Sequence, residues 1–343
     1  MDFRLNEDQT ALQNAAKDFL RKEVPSTVVR AAFEGPDGDS PELYKKMAEL
    51  GWLGITVPEE KGGLGMTAIE QAVVSEQLGY VNAPGPYFTV ACVAIPLLVE
   101  LDADDLLEPM LEGSLRAALI GHEPHLPRGG VGRAGTSAMV RDGQVADGFI
   151  VLRDRAEWYD RSQAEVTPVP SLDGTRRFAS VQVSGSGRDL GPASAIEPVQ
   201  EAATVALCAE MVGGMQWALD ETVQYVKDRE AFGRPIGVFQ AVQHKCADML
   251  VHTESSRSAA YYAAYALAND LPDAKFAVSV AKAYCSDAAH SVTGECIQLH
   301  GGIGFTWEHD AHLYFKRATT NRTQLGDAAY HLERVLELDP QRV

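Results

Sequence analysis

The chain has 343 residues, which is enough for about two domains with a substantial buried core. Its hydrophobic share of 45% and charged share of 23% are ordinary for a soluble globular protein. The formal net charge of −18 argues against a protein that binds nucleic acid or docks on anionic lipid, since like charges repel. An anionic ligand such as a nucleotide would therefore have to be held by local hydrogen-bond donors.

The cysteines and the apolar segments indicate a cytoplasmic protein. Five cysteines form an odd set without a C-x-x-C pair, which favours reduced thiols over a disulfide framework. The residues after Met1 lack the basic-then-apolar pattern of a signal peptide. The longest apolar run, 90–99, contains Pro96 and is too short to span a bilayer. We therefore expect that run to form a buried helix, and the protein to have no contact with a membrane.

The first zone of the chain, residues 1–113, has helical patterning. Asn6 and Gln9 resemble a capping box at the start of a helix. A further helix is predicted over 41–50, ending at Gly51, because glycine is well suited to a helix C-terminus. This zone is therefore expected to form an N-terminal helical domain.

The middle zone, residues 114–196, changes to short runs of β-favouring residues separated by Gly, Pro and Asp turns. This pattern predicts a small antiparallel barrel or sandwich. The predicted strands cover residues 115–120, 137–140, 148–152 and 178–183.

The third zone, residues 197–343, is helical again. Long helical segments with short connections predict a C-terminal bundle. One apolar stripe at helical spacing supports this prediction: Ala277, Ala281, Tyr284, Ala288, Val292 and Cys296. The predicted fold class is therefore α+β, mainly α, with a β domain between two helical domains.

Four motifs, in order along the chain, resemble those of the acyl-CoA dehydrogenase family. They are L-G-W-L-G at 50–54, V-P-E at 57–59 with G-G-L-G at 62–65, R-E-A-F-G-R-P-I at 229–236 with F-Q at 239–240, and Q-L-H-G-G-I-G-F at 298–305. The resemblance covers nearly the whole chain. It implies the fold of that family, an FAD cofactor and an acyl-CoA substrate.

The resemblance also implies which residues contact the cofactor. In this family the arginine of R-x-x-F-G and the Q-x-x-G-G segment reach across a dimer interface to the flavin of the neighbouring subunit. Arg229 would meet the FAD pyrophosphate, which suits a planar guanidinium. Taken alone, these features also fit a surface arginine and a helix cap, but their spacing favours the cofactor interpretation. The remaining implied cofactor residues are Phe232, Phe239, Gln240, Gln298, Leu299, His300, Gly301 and Gly302.

The position of the catalytic base departs from the family pattern. The chemistry removes a proton α to a thioester carbonyl and passes a hydride to flavin, so it needs a carboxylate base. The glutamate of the family's E-G-T turn corresponds here to Leu325. In other branches it lies near the start of the helix that ends at Arg229, which gives Ala203 with Thr204 beside it. None of these side chains can take up the proton, so no catalytic residue is predicted. Acidic residues lie nearby but off the expected positions: Glu201, Glu210 and Asp327.

The flavin cradle of the middle domain also departs from the family pattern. The T-E-P-x-A-G-S-D-like stretch of active members corresponds to residues 121–130, where only Glu123-Pro124 is kept. The W-I-[TS] strand has its nearest counterpart at 148–151. The residues donated to a neighbour thus look intact, whereas the chain's own cradle and base look eroded.

This asymmetry resembles the α2β2 acyl-CoA dehydrogenases of actinobacteria that degrade steroid side chains, in which one of two homologous subunits brings the glutamate. We therefore expect a subunit that pairs with a glutamate-bearing homologue, acts on an acyl-CoA, and passes electrons to an electron-transfer flavoprotein or a similar acceptor. Two alternatives stay open: a self-sufficient homo-oligomeric dehydrogenase with a displaced carboxylate base, and a flavin monooxygenase of the same fold.

Three other signals are interpreted as structural. G-S-G-R-D-L-G at 185–191 is too long for a dinucleotide motif and runs into Pro192, so a loop is predicted. R-G-G-V-G-R at 128–133 could cradle a phosphate, but a strand connection is favoured. His309 and His312 could suggest a metal, yet the family has a helix there, so no metal site is predicted.

Overall fold

The structure is a computed structural model that describes residues 4–121 and 136–339. Helices precede and follow a middle region of short strands, which confirms the predicted α+β, mainly α, class. The cradle remnant after Gly121 and the arginine-glycine segment at 128–133 lie outside the described residues.

Contacts within the chain divide it into two compact units. The first comprises Met1–Ser26, Ala72–Ala83 and Leu207–Val343, and the second comprises Thr27–Gln71 and Pro84–Ala206. The three-domain organisation, with boundaries near residues 113 and 196, stays a prediction.

The N-terminal helices begin and end at signals that the sequence contains. The helices are α1 (Glu7–Glu23), α2 (Ser26–Glu34), α3 (Pro41–Glu49), α4 (Ala68–Tyr80), α5 (Tyr87–Thr89), α6 (Ile95–Glu100) and α7 (Asp104–Leu111). The capping box of α1 is confirmed, because the Gln9 backbone N–H donates to Asn6 Oδ1 at 2.8 Å and the Asn6 N–H donates to Gln9 Oε1 at 3.0 Å. Helix α3 ends before Gly51, which has a left-handed φ of 74°.

The apolar run 90–99 forms a buried helical segment, as predicted. Helix α5 passes into a π-helical turn, Val90–Ala94, and then into α6. Proline has no N–H, and its ring crowds the carbonyl four residues earlier, so a wider turn before Pro96 relieves the clash. Every residue from 90 to 95 is buried.

The middle region contains two sheets among the described residues, in the strand orders β1-β3-β4-β7 and β2-β6-β5. The strands are β1 (Ala117–Ile120), β2 (Thr136–Arg141), β3 (Gly148–Leu152), β4 (Arg155–Asp160), β5 (Ala164–Val169), β6 (Phe178–Val183) and β7 (Arg188–Pro192). One hydrophobic cluster takes members from both sheets, including Phe149 and Val181, which is the core of a sandwich. The expectation of a purely antiparallel arrangement is wrong, because β1 and β3 run parallel while the other described pairs in these sheets are antiparallel.

The prediction of a loop over 185–191 is also wrong for the second half of that range. Residues from Arg188 form strand β7, in which Asp189 pairs with Glu157 of β4. Asp189 also accepts from the Arg155 guanidinium at 2.7 Å. This strand lies at the edge of its sheet and carries exposed charges, so it lacks the apolar alternation by which a strand is recognised.

The C-terminal helices form a bundle, as predicted. They are α8 (Ile196–Asp228), α9 (Gln240–Ala268), α10 (Ala274–His300), α11 (Ala311–Thr323) and α12 (Ala328–Glu337), with a short hairpin of β8 (Glu230–Ala231) and β9 (Arg234–Pro235) after α8. Helix α10 packs against α9, α11 and α12. The predicted stripe on α10 is buried except for Tyr284, which is 37% exposed and lies with its hydroxyl 3.1 Å from His252 Nδ1.

Helix α8 passes through the interior of the fold. Ala193–Asp228 is the one helix in the described parts of the chain that is long and apolar enough to cross a membrane, but 78% of its apolar window is buried. It also meets α4 backbone to backbone: a Cβ on Gly79 would lie 1.9 Å from the Glu210 carbonyl oxygen, and one on Gly213 would lie 1.9 Å from that of Glu76. Glycine is therefore required at both positions, because any side chain would prevent the two helices from approaching this closely.

The turn between α11 and α12 is held by buried polar groups. Lys282 Nζ donates to the carbonyl of Gly326 at 2.8 Å and to that of Arg322 at 3.2 Å. His331 Nε2 donates to the carbonyl of Leu325 at 2.8 Å. Lys282 and His331 are fully buried, so water does not compete for these bonds. The backbone of this turn is fixed from two sides.

We expect His331 to make the fold sensitive to acid. Burial lowers the pKa of His331 to about 4, from an ordinary value of 6.5, so between these values the unfolded chain binds a proton that the folded chain does not. The free energy of unfolding should then fall by about 2–3 kcal/mol over that interval. Above pH 6.5, His331 should have no effect on the free energy of unfolding. Urea titrations across the interval measure the loss. His331→Gln, which keeps a donor for Leu325, should remove this part of the pH dependence; a variant as acid-sensitive as the parent would contradict the assignment.

Candidate functional site

Arg229 lies at the exposed end of α8. Its backbone N–H donates to the Tyr225 carbonyl at 2.8 Å, and its side chain is exposed. A tight hairpin follows, in which Phe232 and Gly233 have φ values of 55° and 76°. Phe232 is 94% exposed, although a bulky residue is rare in the left-handed region. The described chain therefore holds an aromatic ring in solvent at a conformational cost.

Phe239 and Gln240 follow at the start of α9. The Phe239 ring makes an edge contact with Phe232, with centroids 6.1 Å apart, and the Arg234 guanidinium lies 4.5 Å from the Phe239 centroid. Gln240 is exposed. The structure thus brings the aromatic, amide and cationic residues of this motif to one end of α8.

The second predicted segment ends α10. Gln298 is exposed, Leu299 is half-buried and His300 is buried. Gly301 has φ 63° and ψ −140°, a conformation that essentially requires glycine. Gly302 has no such requirement, and a Cβ there would meet no atom of the chain within 4 Å. Packing within the described chain thus gives no reason for glycine at 302, and the open space suits a molecule that approaches from outside, as FAD or a partner would.

Tyr225 joins these two segments. Its hydroxyl donates to the His300 carbonyl at 3.2 Å, and its ring stacks on the His300 ring with centroids 4.3 Å apart. The structure therefore brings the last turn of α8, just before Arg229, to the end of α10, just before Gly301. A shared role of the two segments at a flavin stays a prediction. In the sequence, Tyr225 is marked only by its position one helical turn before Arg229.

The His300 side chain is buried and bonded to its own helix. Its Nδ1 lies 2.7 Å from the Cys296 carbonyl, to which it donates, and burial lowers the pKa of His300. Glu221 and His309 lie beside it, and the potential ligand atoms of the three residues lie within 4.8 Å of one another. Ala311 donates its N–H to His309 Nδ1 at 3.1 Å, so the proton of neutral His309 sits on Nε2 and faces Glu221 at 3.5 Å.

This arrangement differs from a preformed metal site. A metal-binding nitrogen must offer a lone pair, whereas the Nε2 of His309 carries a proton towards Glu221. Hydrogen bonding from His309 lowers the pKa of Glu221, as expected for such a pair. His312, the other histidine of this segment, packs its ring edge-on against Trp307 at 4.6 Å.

Leu325, which the resemblance aligns with the family's base, lies in the turn between α11 and α12. It is 2% exposed, has a left-handed φ of 54°, and its carbonyl is held by His331. The structure thus places an apolar side chain at this position, in a turn that Lys282 also fixes. A leucine offers no group that can exchange a proton.

Two of the nearby acidic residues have structural contacts. Glu210 is buried and accepts from Arg317 Nη1 at 3.1 Å and from Asn321 Nδ2 at 2.9 Å. Asp327 is the N-cap of α12, with Oδ1 accepting from the Tyr330 N–H at 2.9 Å. Glu210 is therefore part of a buried ion pair, and Asp327 satisfies a helix terminus.

The start of α8 offers no carboxylate at the second expected position. Helix α8 runs unbroken from Ile196 to Asp228, so the count from Arg229 back to Ala203 crosses no gap. Ala203 is buried, and Thr204 Oγ1 donates to the Gln200 carbonyl at 2.7 Å. Glu201 is buried on the same helix, two residues earlier.

Comparison with known proteins defines the class. The acyl-CoA dehydrogenase N-terminal domain matches residues 6–103, and the acyl-CoA dehydrogenase C-terminal domain matches residues 201–337. The chain is 32% identical over 332 residues to acyl-CoA dehydrogenase IpdE2 of Mycolicibacterium smegmatis, a match that covers 96% of this chain and 98% of that protein.

Two solved structures share the fold. A variant of the Tcur3481-Tcur3483 steroid acyl-CoA dehydrogenase has a TM-score of 0.87 and 27% identity over 98% of both chains. The ChsE4-ChsE5 complex from Mycobacterium tuberculosis has a TM-score of 0.89 and 25% identity, also over 98% of both chains. These matches define an oxidoreductase acting on CH–CH bonds with FAD as cofactor. The chain belongs to the acyl-CoA dehydrogenase family.

We expect removal of the Glu210 carboxylate to destabilise the fold. Glu210→Ala leaves the buried Arg317 guanidinium without its counter-charge, which should cost about 3–5 kcal/mol of unfolding free energy. Glu333→Ala, at an exposed carboxylate on α12, should change it by less than about 0.5 kcal/mol. Urea unfolding compares the two. Equal stability of both variants would show that the ion pair is not required.

Proposed function

We propose that this chain is one subunit of a heteromeric acyl-CoA dehydrogenase, in which it completes the flavin site of a homologous partner and supplies no catalytic base. The reaction is the α,β-desaturation of an acyl-CoA thioester, with a steroid side-chain CoA as the substrate class. Leu325 is the observation that carries the proposal. It is a buried leucine at the position that the resemblance assigns to the base, and its backbone carbonyl accepts a hydrogen bond from His331.

Bound FAD would accept the hydride from the substrate β carbon. We assign its pyrophosphate to Arg229, because a guanidinium matches two anionic oxygens and because a chain of net charge −18 needs a local cation to hold an anion. Phe232, Phe239 and Gln240 would line the nucleotide end. Their shared location at the exposed end of α8 supports this assignment.

The segment 298–302 would contact the same cofactor. The exposed amide of Gln298 can hydrogen-bond to it, and the open space at Gly301 and Gly302 allows a close backbone approach. The side chain of Leu299 is half-buried, and that of His300 is buried against Cys296. We therefore assign these two residues a contribution through the backbone of the segment.

A partner subunit is supported by the apolar surface around these residues. Phe232, Phe305 and Trp307 are exposed in the isolated chain. Apolar groups in such numbers near a binding segment are typical of a protein interface. The similar structure of ChsE4-ChsE5 is named as a complex, and the Tcur3481-Tcur3483 enzyme is named by two components. We propose an α2β2 arrangement for this chain, with the partner carrying the glutamate.

The remaining assignments come from the family resemblance. We propose an electron-transfer flavoprotein or a similar protein as the electron acceptor. We also propose a cytoplasmic location, which the buried course of α8 and the five free cysteines support.

A self-sufficient enzyme with a displaced base is the second candidate. Glu201 favours it, because this carboxylate is buried on α8 two residues before Ala203, close to the position used in other branches of the family. The two candidates differ in whether turnover depends on a carboxylate of this chain.

Arg229→Ala tests the cofactor assignment. Loss of a charge-assisted contact should weaken FAD binding to the complex at least about tenfold, while the chain stays folded. Lys227→Ala removes an equal charge from the exposed last turn of α8 and should leave flavin content unchanged. Visible absorbance of the purified complex reports FAD occupancy. Full occupancy in Arg229→Ala would count against the assignment.

Carboxylate replacements test the missing base. In the complex, Glu201→Gln, Glu210→Gln and Asp327→Asn should each change kcat less than about threefold, because general-base catalysis contributes about 10²–10⁴-fold and none of these groups supplies it. Removal of the partner's glutamate should abolish turnover. Each variant is checked first for assembly and flavin content, since Glu210 also stabilises the fold. A fall in kcat of about a hundredfold in an intact variant would favour the self-sufficient enzyme.

A further inference from the structure

Tyr225 contacts both of the segments assigned to the cofactor. Its backbone carbonyl accepts from the Arg229 N–H at 2.8 Å, and its hydroxyl donates to the His300 carbonyl at 3.2 Å. His300 immediately precedes Gly301, at which the chain leaves the helical conformation. Tyr225 therefore bonds through its backbone to Arg229 and through its side chain to the residue that precedes Gly301.

The ring of Tyr225 is held independently of its hydroxyl. It stacks on the His300 ring at 4.3 Å, and the opposing histidine is itself fixed by the Cys296 carbonyl and by the His309 ring, also at 4.3 Å. Removing only the hydroxyl oxygen would therefore leave the packing of the ring in place. The hydrogen bond and the packing can thus be tested separately.

We infer that Tyr225 is a positioning residue, whose hydroxyl sets the spacing between Arg229 and the Gly301-Gly302 turn. The inference rests on the proposed function, because that spacing matters only if both segments bind the same FAD. A cofactor that must meet two separate groups binds more tightly when both are already in place. The His300 carbonyl lies at the C-terminus of α10, where the helix supplies no i+4 donor, and it accepts from the Tyr225 hydroxyl.

Tyr225→Phe tests the inference, with Tyr314→Phe as the matched control. Tyr314 also donates its hydroxyl to a backbone carbonyl, that of Tyr80 at 2.7 Å, and its ring is stacked, on Trp217 at 3.6 Å. Each variant loses one tyrosine-to-carbonyl hydrogen bond, so both should lower the melting temperature of the flavin-free protein similarly. Only Tyr225→Phe should weaken FAD binding, by about three- to tenfold.

The measurement is FAD affinity by flavin fluorescence titration. It uses the preparation that binds flavin, either the complex with a glutamate-bearing homologue from the same genome or the chain by itself. Incorporation of 4-aminophenylalanine at position 225 keeps the ring and a donor, and should restore the affinity of the parent. Equal FAD affinity in the Tyr225→Phe and Tyr314→Phe variants would overturn the inference. So would a Tyr225→Phe protein that does not assemble with excess FAD while Tyr314→Phe does, since the role would then be structural.

The Arg229→Ala and Tyr225→Phe variants together distinguish the positioning role of Tyr225 from the proposed flavin site. If Arg229→Ala weakens FAD binding but Tyr225→Phe does not, only the positioning role of Tyr225 is lost. If neither substitution changes FAD affinity, the assignment of both segments to a flavin site is wrong.

Discussion

A buried ion pair between Glu210 and Arg317 constrains how the helices of the bundle pack. It ties α8 to α11, and Asn321 donates to the same Glu210 carboxylate. Arg317 also donates to the carbonyl of Ala83 at 3.2 Å. Since a buried charge without its partner is costly, these helices can pack only in the register that pairs these groups. The glycine contacts between α4 and α8 then fix how closely the helices approach.

This constraint gives the two ends of the bundle different characters. The turn that bears Leu325 lies directly after α11, and its carbonyls accept from the buried Lys282 and His331 side chains. The far end of α8 carries Arg229 and an exposed Phe232, beside a glycine turn with open space. The proposed role in a neighbour's flavin site rests on these two features, the exposed end of α8 and the buried leucine at 325.

Local signals in the sequence predicted much of this correctly, and contacts distant in sequence account for the rest. The capping box of Asn6 and Gln9 lies within a single turn and could be read directly. Strand β7 could not be predicted from the sequence, because this exposed edge strand lacks apolar alternation. Tyr225 was missed because its partner His300 is 75 residues away and bonds through its backbone. Tyr284 fits the helical period of α10, but only the tertiary structure reveals that it faces solvent.

The central claim is that flavin sites form where this chain meets a different subunit. The most direct test is the flavin count of the purified heteromer, obtained from native mass spectrometry together with visible absorbance. We expect one FAD for each pair of unlike subunits, because in our proposal only the interface that joins the partner's cradle to Arg229 and the Gly301-Gly302 turn is complete. One FAD in every subunit, or a flavin-loaded and active assembly of this chain alone, would contradict it.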